Sequence, residues 1–186
     1  MNKAFAPFDR GSRSIGFNAD EFLRMIEMGA FGDMRVELVG GELQKMSPAF
    51  MNHGECNAGL LVKLADAYRG SGYRLATDLV IQIDDAAVRA ADIAVTQQGI
   101  AGNRAAQGSE LVLVVEISDA SLGRDLGDKL ADYAWAGIQT YWVVDVKGKV
   151  VHVMTVPVQG TYAETRVVRF DEPLEPPYAD GSITID

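Results

Sequence analysis

Apolar residues recur along this chain in two rhythms. One is helical, near every third or fourth position; the other is the alternation or short unbroken run of a strand. The first helical stretch opens at Asn18, which can cap the free amides of its first turn with Glu21 as capping-box partner. Phe22, Met25 and Ile26, with Leu23 beside them, form its buried stripe, and Gly29 suits its end. Two β-forming runs, Val36–Val39 and residues 43–46, flank Gly40-Gly41 and read as a hairpin with a primed turn. A second helix spans residues 57–68, with Leu60, Leu61, Leu64, Ala65 and Tyr68 on one face and Lys63 turned to water. Residues 73–83 make a long strand, or two pieces of one, closed by a turn at Asp84-Asp85. A short strand at residues 91–95 carries Asp92 near its start, and residues 97–109 form a loop.

The centre of the pattern is a strand–helix–strand unit. Residues 111–115 are a run of β-formers ending on Glu116, and residues 141–144 are a second run closed by Asp145. Between them lies an amphipathic helix at residues 125–136, which Asp125 can cap. Such a connection predicts parallel strands, and the lack of strict alternation predicts burial on both faces. After a turn at Lys147-Gly148, residues 150–156 and 162–170 alternate as antiparallel strands, and Ile183 and Ile185 suit an edge strand. The whole is an α/β (α+β) pattern without internal repeats.

Length and charge narrow the picture. At 186 residues the chain fits one domain over residues 17–186, preceded by a loose arm over residues 1–16. No segment approaches the ~20 apolar residues of a membrane span, and the N-terminus lacks the apolar core of a signal peptide. The single cysteine, Cys56, excludes an internal disulfide and a multi-cysteine zinc cluster, which together with the preceding features favours the cytoplasm. Seventeen basic against 26 acidic residues give a net charge of −9. That balance opposes strong non-specific nucleic-acid binding, though not a local cationic groove, and it leaves carboxylates for hard metals such as Mg²⁺.

Three residues attract attention together. Glu116 ends a strand expected to be buried, where a carboxylate needs a metal, a cation or hydrogen bonds. Asp92 sits on a neighbouring apolar strand, and Lys129 flanks the inner face formed by Leu126, Leu130, Tyr133 and Ala134. Two carboxylates and a lysine are the parts of metal-assisted phosphodiester hydrolysis. They are equally the parts of a turn aspartate, a buried Glu116–Lys129 ion pair and a snorkelling lysine. Glu37 and Glu42 on the hairpin read as solvated strand carboxylates, His53 as a partly exposed loop histidine, His152 as a structural strand residue and Cys56 as a packed thiol.

The stretches ELVGGELQKMSP, His53, ADIAV and VVEISDASLGRDLGDKLADYAWAGIQTYWVVD resemble the Uma-type family of restriction endonucleases, a branch of the PD-(D/E)XK nuclease superfamily. The resemblance runs from the first helix to the C-terminal strands. It implies a restriction-endonuclease-like fold, a mixed central sheet flanked by helices, with an N-terminal helix and hairpin. It also implies a Mg²⁺-dependent DNA endonuclease, with Mn²⁺ as a substitute ion and a homodimer as the working unit. On this resemblance Asp92 and Glu116 are catalytic metal ligands, and the peptide carbonyl of Ile117 is a third. The superfamily's lysine position, two residues after the glutamate, is Ser118 here, and Lys129 of the following helix is the match, a lysine that assists the nucleophile. Glu37 corresponds to an acidic hairpin residue that completes the metal site, and His53 to a histidine near its mouth. The proline usual before the aspartate is Ala91.

Two other functions fit parts of the sequence. The acidic total and Ser118 suit a non-catalytic module of the same fold that binds nucleic acid or a protein. Paired carboxylates also serve glycosidases, but 8% aromatic residues, with only Trp135 and Trp142 as tryptophans, offer little for a sugar cleft.

Overall fold

The computed structural model describes residues 16–48, 50–97, 100 and 102–186. The expected N-terminal arm lies, apart from Gly16, outside the described residues. Helix α1 (Ala19–Glu27) is followed by the hairpin β1 (Val36–Val39) and β2 (Glu42–Lys45), then helix α2 (Met51–Ala67). Strands β3 (Arg74–Gln82), β4 (Val88–Thr96) and the two-residue β5 (Ala106–Gln107) precede β6 (Leu111–Ser118). Helices α3 (Leu122–Asp125) and α4 (Asp128–Trp135) lead to β7 (Thr140–Asp145), β8 (Val150–Val158) and β9 (Thr161–Arg169). These strands form one mixed sheet in the order β2-β1-β4-β6-β7-β8-β9, with β3 against β4 and β5 against β3.

The central crossover is as the pattern predicts. β6 and β7 are parallel, from Val114↔Tyr141 to Ser118↔Asp145, and β6 is buried along its length. Every second residue of β6 turns to a different layer. Leu113, Val115 and Ile117 pack with Leu60, Leu64 and Tyr68, the α2 side. Val114 packs with Tyr133, Ala134 and Tyr141, the α4 side, and alternation puts Glu116 on that same face. Asn18 and Glu21 form the reciprocal cap of α1, and Gly40 and Gly41, at φ 57° and 81°, make the hairpin turn that residues with a Cβ disfavour.

Several expectations are corrected. Ile26 is exposed, because α1 is short and buries only Ala19 and Phe22 fully. α2 starts at Met51, before its apolar stripe begins, so His53 is helical rather than in a loop. β4 starts at Val88, which puts Asp92 mid-strand, and part of the 97–109 loop is ordered as β5 and a short 3-10 turn, Gly108–Glu110. The single helix over 125–136 is two, broken at Leu126-Gly127, and Asp125 ends the first instead of capping the second. Lys63 is tied to the Thr184 carbonyl and the Asp186 carboxylate, both at 2.7 Å. Ile183 makes only an isolated bridge with Leu174. Trp135 is exposed, with Gly160 against its indole. Among the described residues no helix is long and apolar enough to cross a membrane.

β4 decides where the site falls. β3 follows it from Val88 to Thr96 and so takes one edge; β1 and β6 share the other. β1 reaches only Val88, through Leu38, while β6 pairs with residues 93–96. Along residues 89–92 this edge has no strand beside it. Backbone groups there need partners from side chains.

Candidate active site

The gap is filled by charge. Six ionisable side chains are buried around it: Glu37 of β1, Arg89 and Asp92 of β4, Glu116 of β6, Asp125 of α3 and Lys129 of α4. Taking charges out of water costs several kcal/mol each unless they are paired, so such a cluster marks a candidate functional site. The solvated reading of Glu37 fails, since it is 1% exposed, whereas Glu42 is exposed as that reading has it.

Lys129 is wholly enclosed. Its Nζ lies 2.9 Å from Glu116 Oε1 and 3.2 Å from Glu37 Oε1, and it donates to the Ala90 carbonyl at 3.2 Å. Glu116 Oε1 also accepts from the Tyr133 hydroxyl at 2.7 Å. Glu37 Oε1 accepts from the Ala90 amide at 3.1 Å, and its Oε2 from Arg89 at 3.2 Å. Side chains of Glu37 and Lys129 thus stand where a strand would have satisfied Ala90. Arg89 in turn donates to Asp132 Oδ2 at 2.6 Å.

Asp92 approaches from the other side. Its Oδ2 accepts from the Ile117 amide at 2.8 Å and lies 3.2 Å from His53 Nε2. No hydrogen bond reaches Asp92 Oδ1 or Glu116 Oε2 among the described residues. Both residues line a cleft of about 430 Å³ with His53 and Ile117. Its rim carries Arg35, Lys45 and Arg124 together with Pro48 and Phe50. Arg35 pairs with Asp78, and Phe50 is 77% exposed at the start of α2.

Burial pushes the Glu116 carboxyl up to about 8; Lys129 opposes this, while Asp92 and Asp125 add to it. Burial also raises Glu37, but Lys129, the Ala90 amide and Arg89 outweigh it and hold that group below the usual carboxylate range. Asp92 behaves likewise, burial being outweighed by His53 and the Ile117 amide. The bond to Asp92 lifts His53 above its ordinary value, against its own partial burial. Four buried carboxyls against two buried cations leave an excess of two negative charges when all are ionised. A proton on Glu116 removes one of those two charges, and a divalent cation, which suits oxygen ligands, would offset both. The donor set therefore fits such an ion in chemistry. Among the described residues no three histidine, cysteine or carboxylate side chains are already gathered in ligating position.

Of the residues singled out from sequence, Asp92, Glu116, Glu37, Lys129, Ile117 and His53 converge here. Ser118 does not join them. It is buried, and its Oγ lies 3.4 Å from Ser121 Oγ, which donates to Asp125. Arg89 and Asp132 were not foreseen. A charge in the apolar run 88–96 is the signal that marked Asp92 and would have marked Arg89 as well.

A mixed sheet with Glu116 near the carboxyl end of β6 and Asp92 on the antiparallel strand beside it defines a mixed α/β protein with a carboxylate-lined cleft. A family model described as "Uma2: Putative restriction endonuclease" matches residues 19–185, and the chain belongs to that family. Among solved structures the chain is similar to "a putative nuclease belonging to DUF820" from Anabaena variabilis ATCC 29413. The TM-score is 0.68 at 19% identity, over 88% of this chain and 91% of that one, which shows the shared fold. No curated protein matches the chain.

Proposed function

We propose that the protein is a Mg²⁺-dependent DNA endonuclease of the cytoplasm, working as a homodimer and also able to use Mn²⁺. One observation carries the reading. Among the described residues, Asp92 and Glu116 each commit one carboxylate oxygen to the protein and leave the other without a hydrogen-bond partner, and both residues line the same cleft. Those free oxygens, with the Ile117 carbonyl, are the proposed metal ligands. The ion supplies Lewis acidity and charge neutralisation at a scissile phosphate.

The chain's own groups do the rest. Arg35, Lys45 and Arg124 on the rim meet phosphate oxygens of the substrate strand. His53, beside Asp92 at the cleft wall, holds that carboxylate's inner oxygen and can exchange a proton there. Lys129 lies behind Glu116, so it orients the carboxylate and stabilises its charged form. Glu37 supports Lys129 from the hairpin.

The enclosure of Lys129, at 0% exposure, is the observation that favours the second reading, a non-catalytic module of the same fold that binds nucleic acid or a protein. Plasmid cleavage separates the two. Wild type with Mg²⁺ or Mn²⁺ is expected to cut supercoiled DNA, with linear product if the homodimer cuts both strands. Asp92→Ala and Glu116→Gln are expected to lose at least about 10²-fold. Equal residual cutting by all three proteins sinks the nuclease.

A further inference from the structure

The buried charges form a chain from one helix back to itself: Asp132 of α4, Arg89 of β4, Glu37 of β1, then Lys129 of α4. Every oxygen of Glu37 is occupied. Oε1 takes the Ala90 amide and Lys129, and Oε2 takes Arg89. Glu37 is also absent from the cleft lining, in contrast to Asp92 and Glu116. A carboxylate with no free oxygen and no access to the cleft is poorly placed as a metal ligand.

We propose that Arg89, anchored by Asp132, is a positioning residue: it fixes Glu37, and Glu37 with the Ala90 carbonyl sets Lys129 against Glu116 without itself binding metal. The brace occupies the stretch of β4 where β1 and β6 diverge. It thereby converts a missing piece of β-ladder into an oriented ammonium. Arg suits the middle position because its planar fork directs separate nitrogens at Glu37 and Asp132, whereas a lysine would have to reach both from one nitrogen. Asp132 is the one outer member, with its side chain 25% exposed, so the chain ends in contact with water.

The proposal deepens the metal-site reading and rests on it for the words "without itself binding metal"; the brace stands on geometry alone. The test uses the full chain with Glu37→Gln, Arg89→Lys and the milder Asp132→Asn, each checked for a native circular-dichroism spectrum. The first readout is the ¹⁵Nζ resonance of the Lys129 ammonium, assigned by its loss in Lys129→Arg. An enclosed, bonded ammonium should give a sharp signal in wild type. It should broaden or vanish in Glu37→Gln and Arg89→Lys, and weaken in Asp132→Asn. An unchanged signal in Glu37→Gln and Arg89→Lys overturns the brace.

The second readout is Mn²⁺ titration calorimetry. Glu37→Gln is expected to weaken binding by about tenfold, as for a residue behind the ligands, and Asp92→Asn to abolish it. Loss of all binding in Glu37→Gln makes Glu37 a ligand and overturns the assignment. If wild type itself gives no heat, the nuclease reading fails, while the Lys129 resonance still decides the brace.

Discussion

At the scale of single residues, Glu116 carries the largest conflict between stability and use. Its folded carboxyl is pushed up to about 8 by burial, from an ordinary value of 4.5. A raised folded pKa contributes stability that is fully present below the unfolded value and is lost as pH rises through the folded one. The metal-free protein should therefore weaken between about pH 4.5 and 8 relative to Glu116→Gln, which keeps the acceptor for Tyr133 without the charge. In Glu116→Gln, Lys129 keeps only Glu37 as an ionised partner, which offsets part of the gain, so the expected gap at pH 9 is on the order of 2 kcal/mol, or about 4–8 °C in Tm. Thermal melts in chelator across that range check it. A Gln variant that melts below wild type at pH 9 would show that the ion pair outweighs burial. Glu116 was legible in the sequence as a charge where an apolar run stops. Glu37 was named only through the family resemblance; read by its own chemistry a hairpin glutamate is ordinarily solvated, and only the docking of β1 beside β4 encloses it.

Among the elements, the parallel crossover, the hairpin and the cap of α1 were all readable, since each rests on local chemistry: an unbroken apolar run, a Gly-Gly pair, an Asn three residues before a Glu. The break between α3 and α4 was not. Leu126, Leu130, Tyr133 and Ala134 keep one helical period across it, and periodicity cannot see that Gly127 leaves the helix, with φ −112° and ψ −100°. A Cβ at Gly127 would stand 2.7 Å from the Gly123 carbonyl oxygen, a backbone atom that cannot swing aside. Gly127→Ala, two residues before Lys129, must therefore shift the start of α4. The expected cost is about 1–3 kcal/mol in stability by chemical denaturation, with a larger fractional loss of metal-dependent cleavage. A variant as stable and as active as wild type would mean that the break absorbs the methyl group without moving α4.

For the molecule as a whole, a net charge of −9 opposes a polyanion on average, while Arg35, Lys45 and Arg124 gather at the rim of the cleft. Binding to DNA should then depend on few phosphate contacts. The slope of log K against log salt is expected near −3, about 0.9 per neutralised phosphate. Replacing all three rim cations by Ala should flatten that slope toward zero and weaken binding uniformly across sequences. Fluorescence anisotropy with labelled duplex, in chelator, measures both. A slope unchanged in the triple variant would place the DNA on another face. The rim was hidden from the sequence reading because its members come from β2, α3 and the segment before β1, and net charge averages over all of them.

The hairpin joins the neighbouring strand by a single register pair, Leu38↔Val88, helped by the Gly41 amide on the Ala86 carbonyl. Arg35 precedes that hairpin, Glu37 and Lys45 belong to it, and while Arg35 and Lys45 line the cleft, Glu37 holds Lys129 beneath it. A polyanion that grips Arg35 and Lys45 favours the seated hairpin, and the seated hairpin orders the ammonium beneath. Linkage makes the binding part reciprocal: on the nuclease reading, a polyanion stabilises the seated hairpin by as much free energy as seating the hairpin adds to polyanion binding, and a loosened ribbon also frees the ammonium.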